Sequence, residues 1–275
     1  IMEGSISQGV AGADGIIKQL RSAHENEDTK AIVFRVNSGG GSVIASEMIR
    51  DELFEAKRKG ISVVVSMGDY AASGGVYIST PADYIFAEPT SITGSIGVAI
   101  ALPTFENVTD YIGVNFDGVV TSRYGAWDLN QPIDEDLDQI LNSTISGLYD
   151  RFIQFVAESR SQSYEDIKAI AGGRVWIGTA AEELGLVDEI GGVNEAIAHA
   201  ADFTKLTEYK VEYYGQEISS GERLISGLLE GIGVSIQEPK IISSLNSMQK
   251  FYESLIESRN PKVLLTCENC LIDLD

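Results

Sequence analysis

Two apolar runs, each ending in a glycine-rich loop, constrain this chain more than any other feature of it. Lys30-Ala31-Ile32-Val33-Phe34-Arg35-Val36 runs into Asn37-Ser38-Gly39-Gly40-Gly41-Ser42, and Ile61 to Met67 runs into Gly68-Asp69-Tyr70-Ala71-Ala72-Ser73-Gly74-Gly75. A short continuous apolar run bounded by glycine is the pattern of a strand buried on both faces, as in a parallel sheet. Ile16, Ile17, Leu20 and Ala23 recur at helical spacing before the first run. Ile44, Met48, Leu53 and Ala56 do the same between the two, within Val43 to Lys59. Strand and helix in alternation predict an α/β layered fold with a central parallel sheet.

The pattern continues downstream. Asp83 to Glu88 and Val114 to Val120 read as a third and a fourth strand. A long helix is expected from Ile133 to Arg160, after Pro132 and with Asp134, Glu135 and Asp136 at its positive end. Tyr164 to Ala171, Thr179 to Leu184, a strand Leu186 to Ile190 and a helix Val193 to Phe203 follow. Composition shifts near Leu206. One more strand is expected at Glu208 to Tyr214, then amphipathic helices from Leu224 to Ser258, broken around Gly231 to Pro239. The reading divides the chain into a main domain, 1–205, and a C-terminal, mainly helical extension, 206–275. Ile1-Met2-Glu3-Gly4 reads as the tail of a strand already under way, so the expectation is a domain cut from something longer.

Charge and cysteine usage narrow the function classes. The 275 residues hold 41 acidic and 20 basic side chains, a formal charge of −21 spread along the chain. Such a surface repels phosphate backbones and an anionic membrane leaflet, which argues against nucleic-acid binding. No stretch approaches the roughly 18 consecutive apolar residues of a membrane-spanning helix. Cys267 and Cys270 form one CxxC, but a zinc site needs two more ligands and the two histidines, His24 and His199, lie far away in sequence. No metal site is expected. A local disulfide and two free thiols fit the pair equally well, and a redox catalyst fits less well without a strand–turn–helix setting.

Both glycine loops follow strand ends, where open parallel sheets bind their ligands. The first lets backbone amides at a helix start face an anion or a developing oxyanion. It matches neither GxGxxG nor GKS/T, so nucleotide binding is not indicated, and taken alone it reads as a tight strand-to-helix turn. In the second, Ser73 sits among small residues at the start of a short helix, where a helix N-cap is the simpler reading. Together the loops supply a nucleophile beside an oxyanion site, the minimum for acyl transfer. A base is harder to find. His24 lies in the polar run His24-Glu25-Asn26-Glu27-Asp28 and reads as solvated, while His199 lies among alanines and reads as packing or surface. A lysine deprotonated by burial is the other base used with serine. Between Lys59 and Lys168 there is none, and Lys57, Lys59 and Lys168 read as polar helix faces.

Val36-Asn37-Ser38-Gly39-Gly40-Gly41-Ser42-Val43, Met67 to Gly75, Thr93-Gly94-Ser95-Ile96-Gly97-Val98 and Val175-Trp176-Ile177-Gly178 resemble, in this order, the signal peptide peptidase A (protease IV) family, peptidase family S49. The likeness runs from residue 1 to about 205. The tail with Leu265-Thr266-Cys267-Glu268-Asn269-Cys270 is similar to the end of the family's long, two-repeat form, so the chain resembles its C-terminal half. The resemblance implies a crotonase/Clp-protease-like fold and a cofactor-free Ser–Lys dyad. It implies Ser73 as nucleophile, Gly40, Gly41 and the Gly74 amide as oxyanion hole, and Ser95 as the hydroxyl that orients the lysine. Short members carry their lysine after the strand corresponding to Val114 to Val120. Here that stretch reads Thr121-Ser122-Arg123-Tyr124-Gly125-Ala126-Trp127-Asp128, and Gly39 stands where a proline is usual. The implied base therefore comes from a lysine-bearing N-terminal half.

The resemblance further implies hydrolysis of cleaved signal peptides and other hydrophobic peptides. It implies a ring-like homo-oligomer, a tetramer, at the bacterial inner membrane with the site on the periplasmic side. Val98-Ala99-Ile100-Ala101-Leu102 would suit the substrate groove, and core packing explains it as well. Two other functions fit parts of the pattern: a crotonase-type acyl-CoA enzyme that uses the same amides without a nucleophilic serine, and a non-catalytic scaffold half.

Overall fold

A computed structural model of the chain describes residues 12–102, 104–114, 127, 129–214 and 263–265. The first elements are α1 (Ala13–Glu25), β1 (Ala31–Ser38), β2 (Gly41–Ser42), α2 (Val43–Arg58), β3 (Ser62–Ala72), α3 (Gly74–Ser79), β4 (Tyr84–Ala87) and β5 (Ile92–Gly94). Then come β6 (Ala99–Ile100), α4 (Glu106–Tyr111), α5 (Glu135–Arg160), α6 (Tyr164–Ile170), β7 (Val175–Ile177), α7 (Gly178–Glu183), β8 (Glu189–Ile190), α8 (Val193–Phe203) and β9 (Val263–Leu265). The layered α/β fold is the one the alternation predicts.

β3 organises the sheet because its apolar run is long and buried on both faces, with Val63, Val64 and Val65 fully enclosed. Its first half, Ser62 to Met67, pairs in parallel with β1 on one side, and Val64 to Met67 pair with β4 on the other. Beyond the end of β4 its last residues change partner, and Tyr70, Ala71 and Ala72 pair in parallel with Ile92, Thr93 and Gly94 of β5. This second pairing explains why β3 runs five residues past the Met67 end expected from hydropathy. Within that extension Asp69 and Tyr70 are exposed, while Ala71 and Ala72 are fully buried. β8 joins β4 in parallel, while β7 joins β5 antiparallel, so one margin of the parallel sheet is mixed.

Helices cover both faces. α8 lays Ala196 and Ala200 over Val64 and Phe86. On the other face α1, α2, α3 and α5 bury Ile49, Leu53, Ile78, Phe152 and Ile153 in one continuous core. Each such side chain contributes about 1.5–3 kcal/mol by leaving water. α5 starts where its signals put it: the Asp134 carboxylate accepts from the Leu137 amide at 2.8 Å. It stops at Ser161, which takes the left-handed conformation at φ 52°.

Two sequence expectations change. Glu208–Tyr214 forms no strand in this structure; its residues are exposed and none pairs with a sheet edge. Alternation of Tyr and Val there mimics a strand, but no partner receives it among the described residues. Thr93-Gly94 and Val175-Trp176-Ile177, quoted above only as motifs, are strands. Of the expected strand Val114 to Val120 only Val114 is described. The helices within Leu224 to Ser258 and the pair Cys267 and Cys270 lie outside the described residues. Among the described residues, no helix is long and apolar enough to cross a membrane. β9 pairs antiparallel with β2 and with β6.

Candidate active site

Ser73 stands between β3 and α3, and its backbone is bent to put it there. Its φ of 54° and ψ of −112° form a conformation that residues with a β-carbon rarely adopt. Two hydrogen bonds hold the bend: the Ser73 amide donates to the Gly94 carbonyl at 2.9 Å, and its carbonyl accepts from the Tyr77 amide at 3.0 Å. The side chain is fully buried, yet Oγ has no hydrogen-bond partner. The N-cap reading fails, since the Ser73 side chain caps nothing in α3. A buried hydroxyl left without a partner costs about 1–3 kcal/mol. Strain and an orphaned hydroxyl thus fall on one residue, and neither contributes to stability.

The glycine loop meets this serine through Gly75. An added Cβ at Gly75 would stand 2.8 Å from the Ser38 carbonyl, so the start of α3 presses directly on the end of β1. Past Ser38 the chain turns through Gly40 and Gly41 at φ 123° and 155°, which open Gly40 to a conformation that glycine favours. The Gly40 amide donates to Ser38 Oγ at 3.2 Å. α2 then begins on Ser42, whose Oγ accepts from the Ala45 amide at 3.4 Å. The first amides of α3 have no intrahelical acceptors, as at every helix start. A short helix and a glycine turn thus converge on the region of Ser73, an arrangement able to bind charge developing on a carbonyl oxygen.

Ser95 lies one residue beyond the last β3–β5 pair, Ala72 with Gly94, as Ser73 does on the neighbouring strand. It too is fully buried and holds a left-handed backbone, φ 49°, with its amide donating to the Arg174 carbonyl at 2.6 Å. Gly94 admits this turn at φ 81°, where a Cβ would meet Trp176 Cδ1 at 2.7 Å and the Arg174 carbonyl at 2.9 Å. All four motifs of the sequence therefore gather at one end of the sheet.

Asn37 links the two loops of the candidate site, a role that the sequence reading passes over. Its Oδ1 accepts from the Tyr70 amide at 3.0 Å, and its side chain would stand only 3.1 Å from a Cβ on Gly68. It stitches the first loop to the second. The signal was available in a polar side chain at a strand end matched by a glycine across the sheet, but only the β1–β3 register reveals the match.

No base touches Ser73 Oγ among the described residues. His24 is not solvated, as its polar neighbours suggested. It is buried between α1 and α2, with Nε2 2.6 Å from Glu52 Oε1 and Nδ1 2.8 Å from Lys59 Nζ. Arg21 closes the cluster on Glu52 Oε2 at 2.7 Å. Burial pushes the Glu52 carboxyl up, but hydrogen bonds from Arg21 and His24 outweigh it and leave the group below its usual range. His199 packs between Tyr84 and Phe203, its ring stacked on Tyr84 at 3.9 Å. Lys57 pairs with Asp83 at 2.7 Å, and Lys168 sits over the Tyr164 ring at 5.3 Å.

Comparison with known proteins identifies the family. Residues 55–207 match the model of peptidase family S49, and residues 2–92 match that of Clp protease. The chain is 38% identical over 280 residues to Protease 4 of Salmonella typhi, covering 98% of this chain and 45% of that protein. It is 38% identical over 282 residues to Protease 4 of Haemophilus influenzae, again covering 98% and 45%. It is 31% identical over 243 residues to a putative signal peptide peptidase SppA of Enterococcus faecium, covering 80% and 70%. With the layered α/β fold, these matches define the class, a peptidase-family domain. The chain belongs to peptidase family S49. It spans about half the length of the two Protease 4 relatives.

Proposed function

We propose that Ser73 is the nucleophile of a Ser–Lys peptidase whose lysine comes from a separate, lysine-bearing N-terminal half. The observation that supports it best is the Ser73 hydroxyl itself, buried, unpartnered and held on a strained backbone at the start of α3. A neutral lysine amine would take the Ser73 proton as Oγ bonds to the peptide carbonyl carbon. The amides of Gly40, Gly41 and Gly74 would bind the oxyanion, and Ser95 would orient the amine. Collapse of the intermediate breaks the C–N bond, and the lysine returns the proton to the leaving amine. Water, deprotonated by the same lysine, then cleaves the acyl-enzyme ester and frees Ser73.

The substrates proposed are hydrophobic peptides, above all signal peptides already cleaved from their proteins. Val98 to Leu102, half-buried except for exposed Ala101, offers one apolar wall for an extended chain. By family resemblance the assembly is a homo-oligomer, a tetramer, at the bacterial inner membrane and active on its periplasmic side. The division of labour between residues 1–205 and 206–275 belongs to the same reading.

Reconstitution tests it. Cleavage of an apolar peptide should be near background for this chain alone and rise at least a hundredfold with the lysine-bearing half, on the order expected of one general base. Ser73→Ala should abolish the gain. Robust cleavage by the chain alone would overturn the split dyad, and full activity of Ser73→Ala would overturn the nucleophile.

A further inference from the structure

The two helices that leave the candidate site are tied to one another one turn in. Tyr77 is four residues past Ser73, and its amide holds the Ser73 carbonyl at 3.0 Å. Its ring is buried, and its hydroxyl donates to Glu47 Oε2. Glu47 is five residues past Ser42, the cap of the helix that follows the glycine loop. Its other oxygen, Oε1, accepts from Arg151 of α5. A second tie lies three residues further along both helices. Arg50 Nε donates to Thr80 Oγ1 at 2.9 Å, and that hydroxyl donates to the Tyr77 carbonyl at 2.8 Å. Phe152 and Phe155 of α5 pack on the Tyr77 ring, with centroids at 5.0 and 5.6 Å.

We infer that Tyr77 and Glu47 are positioning residues, which hold the strained Ser73 turn at a fixed distance from the glycine loop. A backbone in a sparsely populated region persists only where its surroundings over-determine it. Here α3 has six residues, too few to hold its own start. The Tyr77 hydroxyl fixes α3 to α2, and its amide passes that restraint to Ser73. Neither side chain touches the substrate in this scheme. Loss of the link lets the Ser73 turn relax toward ordinary backbone angles and move Oγ away from the amides that must act with it.

The kinetic consequence rests on the reading of Ser73 as nucleophile, but the geometric one does not, so two measurements separate them. The first is amide hydrogen exchange on the intact chain. In Tyr77→Phe the Ser73 amide should exchange about tenfold faster, the size of one lost hydrogen bond to a charged group. Val63, Val64 and Val65 amides should keep their rates, which global destabilisation would not allow. Glu47→Gln, whose amide oxygen still accepts from the phenol, should exchange nearly as wild type, while Glu47→Ala should match Tyr77→Phe. An unchanged Ser73 amide in Tyr77→Phe overturns the inference, as does a rise shared equally by the β3 core.

The second is phosphonylation of Ser73 by an alkyl fluorophosphonate, with the lysine-bearing half present. The Oγ–P bond forms, fluoride leaves and the lysine takes the proton. Tyr77→Phe should lower the maximal rate about tenfold with half-saturation within twofold, and Glu47→Gln should keep most of the wild-type rate. Loss in half-saturation alone overturns a positioning role. An unlabelled wild type sinks the peptidase reading, while the exchange result still decides the geometric claim.

Discussion

Gly75 and Ser38 touch through backbone: a Cβ on Gly75 would come within 2.8 Å of the Ser38 carbonyl oxygen. That contact joins the strand end carrying the glycine loop to the helix that starts at Ser73, and no side chain can yield to relieve it. Gly75→Ala should therefore shift α3 or the loop. A loss of about 1–3 kcal/mol in denaturant unfolding is expected, with a larger proportional loss of Ser73 reactivity toward a fluorophosphonate.

Ser73 itself is expected to oppose stability. Ser73→Ala removes a buried hydroxyl without a partner, and should leave unfolding free energy unchanged or raise it by up to about 1 kcal/mol. Ser73→Gly should add relief of the positive φ against its greater chain entropy. Chemical denaturation of the two variants checks this. A loss of 2 kcal/mol or more, on the order of a buried hydrogen-bonded hydroxyl, would mean that Oγ has a structural partner.

Glu52 makes the α1–α2 junction acid-sensitive. Burial raises its carboxyl, but Arg21 and His24 hold it ionised to lower pH than the ordinary 4.5 of an unfolded chain. Its contribution is therefore fully present above about 4.5 and fades as pH falls through the depressed value. Glu52→Gln should destabilise near pH 7, and the gap from wild type should narrow steadily below pH 4.5, read by thermal unfolding across pH. A gap that widens on acidification would contradict the assignment.

Asn37→Ala removes the acceptor for the Tyr70 amide that bridges the two loops. The residue lies at a strand end, where Tyr70 is partly exposed, so water can replace the bond. The expected cost is about 1 kcal/mol in unfolding, with a disproportionate fall in Ser73 labelling. Equal labelling would show that the two loops hold their spacing without it.

Much of the fold was legible because it rests on short-range patterns. The β1 and β3 runs, α2 from Val43, and α8 from Val193 to Phe203 follow from apolar spacing and capping alone. Tyr77 and Asn37 were not legible in the sequence, because their roles depend on which helix or strand lies beside which. Tyr77 reads in sequence as one more residue of a small-residue helix. Its partner Glu47 is 30 residues away, and nothing local relates them. His24 misled for the same reason: its neighbours in sequence are polar, but its neighbours in space are Glu52 and Lys59. The strand at Ile92–Gly94 was hidden by its length of three residues, below what alternation can signal.

The most direct test of the central claim is the mass of the Ser73 peptide after reaction with an alkyl fluorophosphonate, with and without the lysine-bearing half. If Ser73 is a nucleophile activated from outside this chain, the adduct maps to Ser73, forms at least a hundredfold faster with that half present, and disappears in Ser73→Ala. An adduct on another residue, or one that forms on Ser73 equally fast in the chain alone, would contradict it.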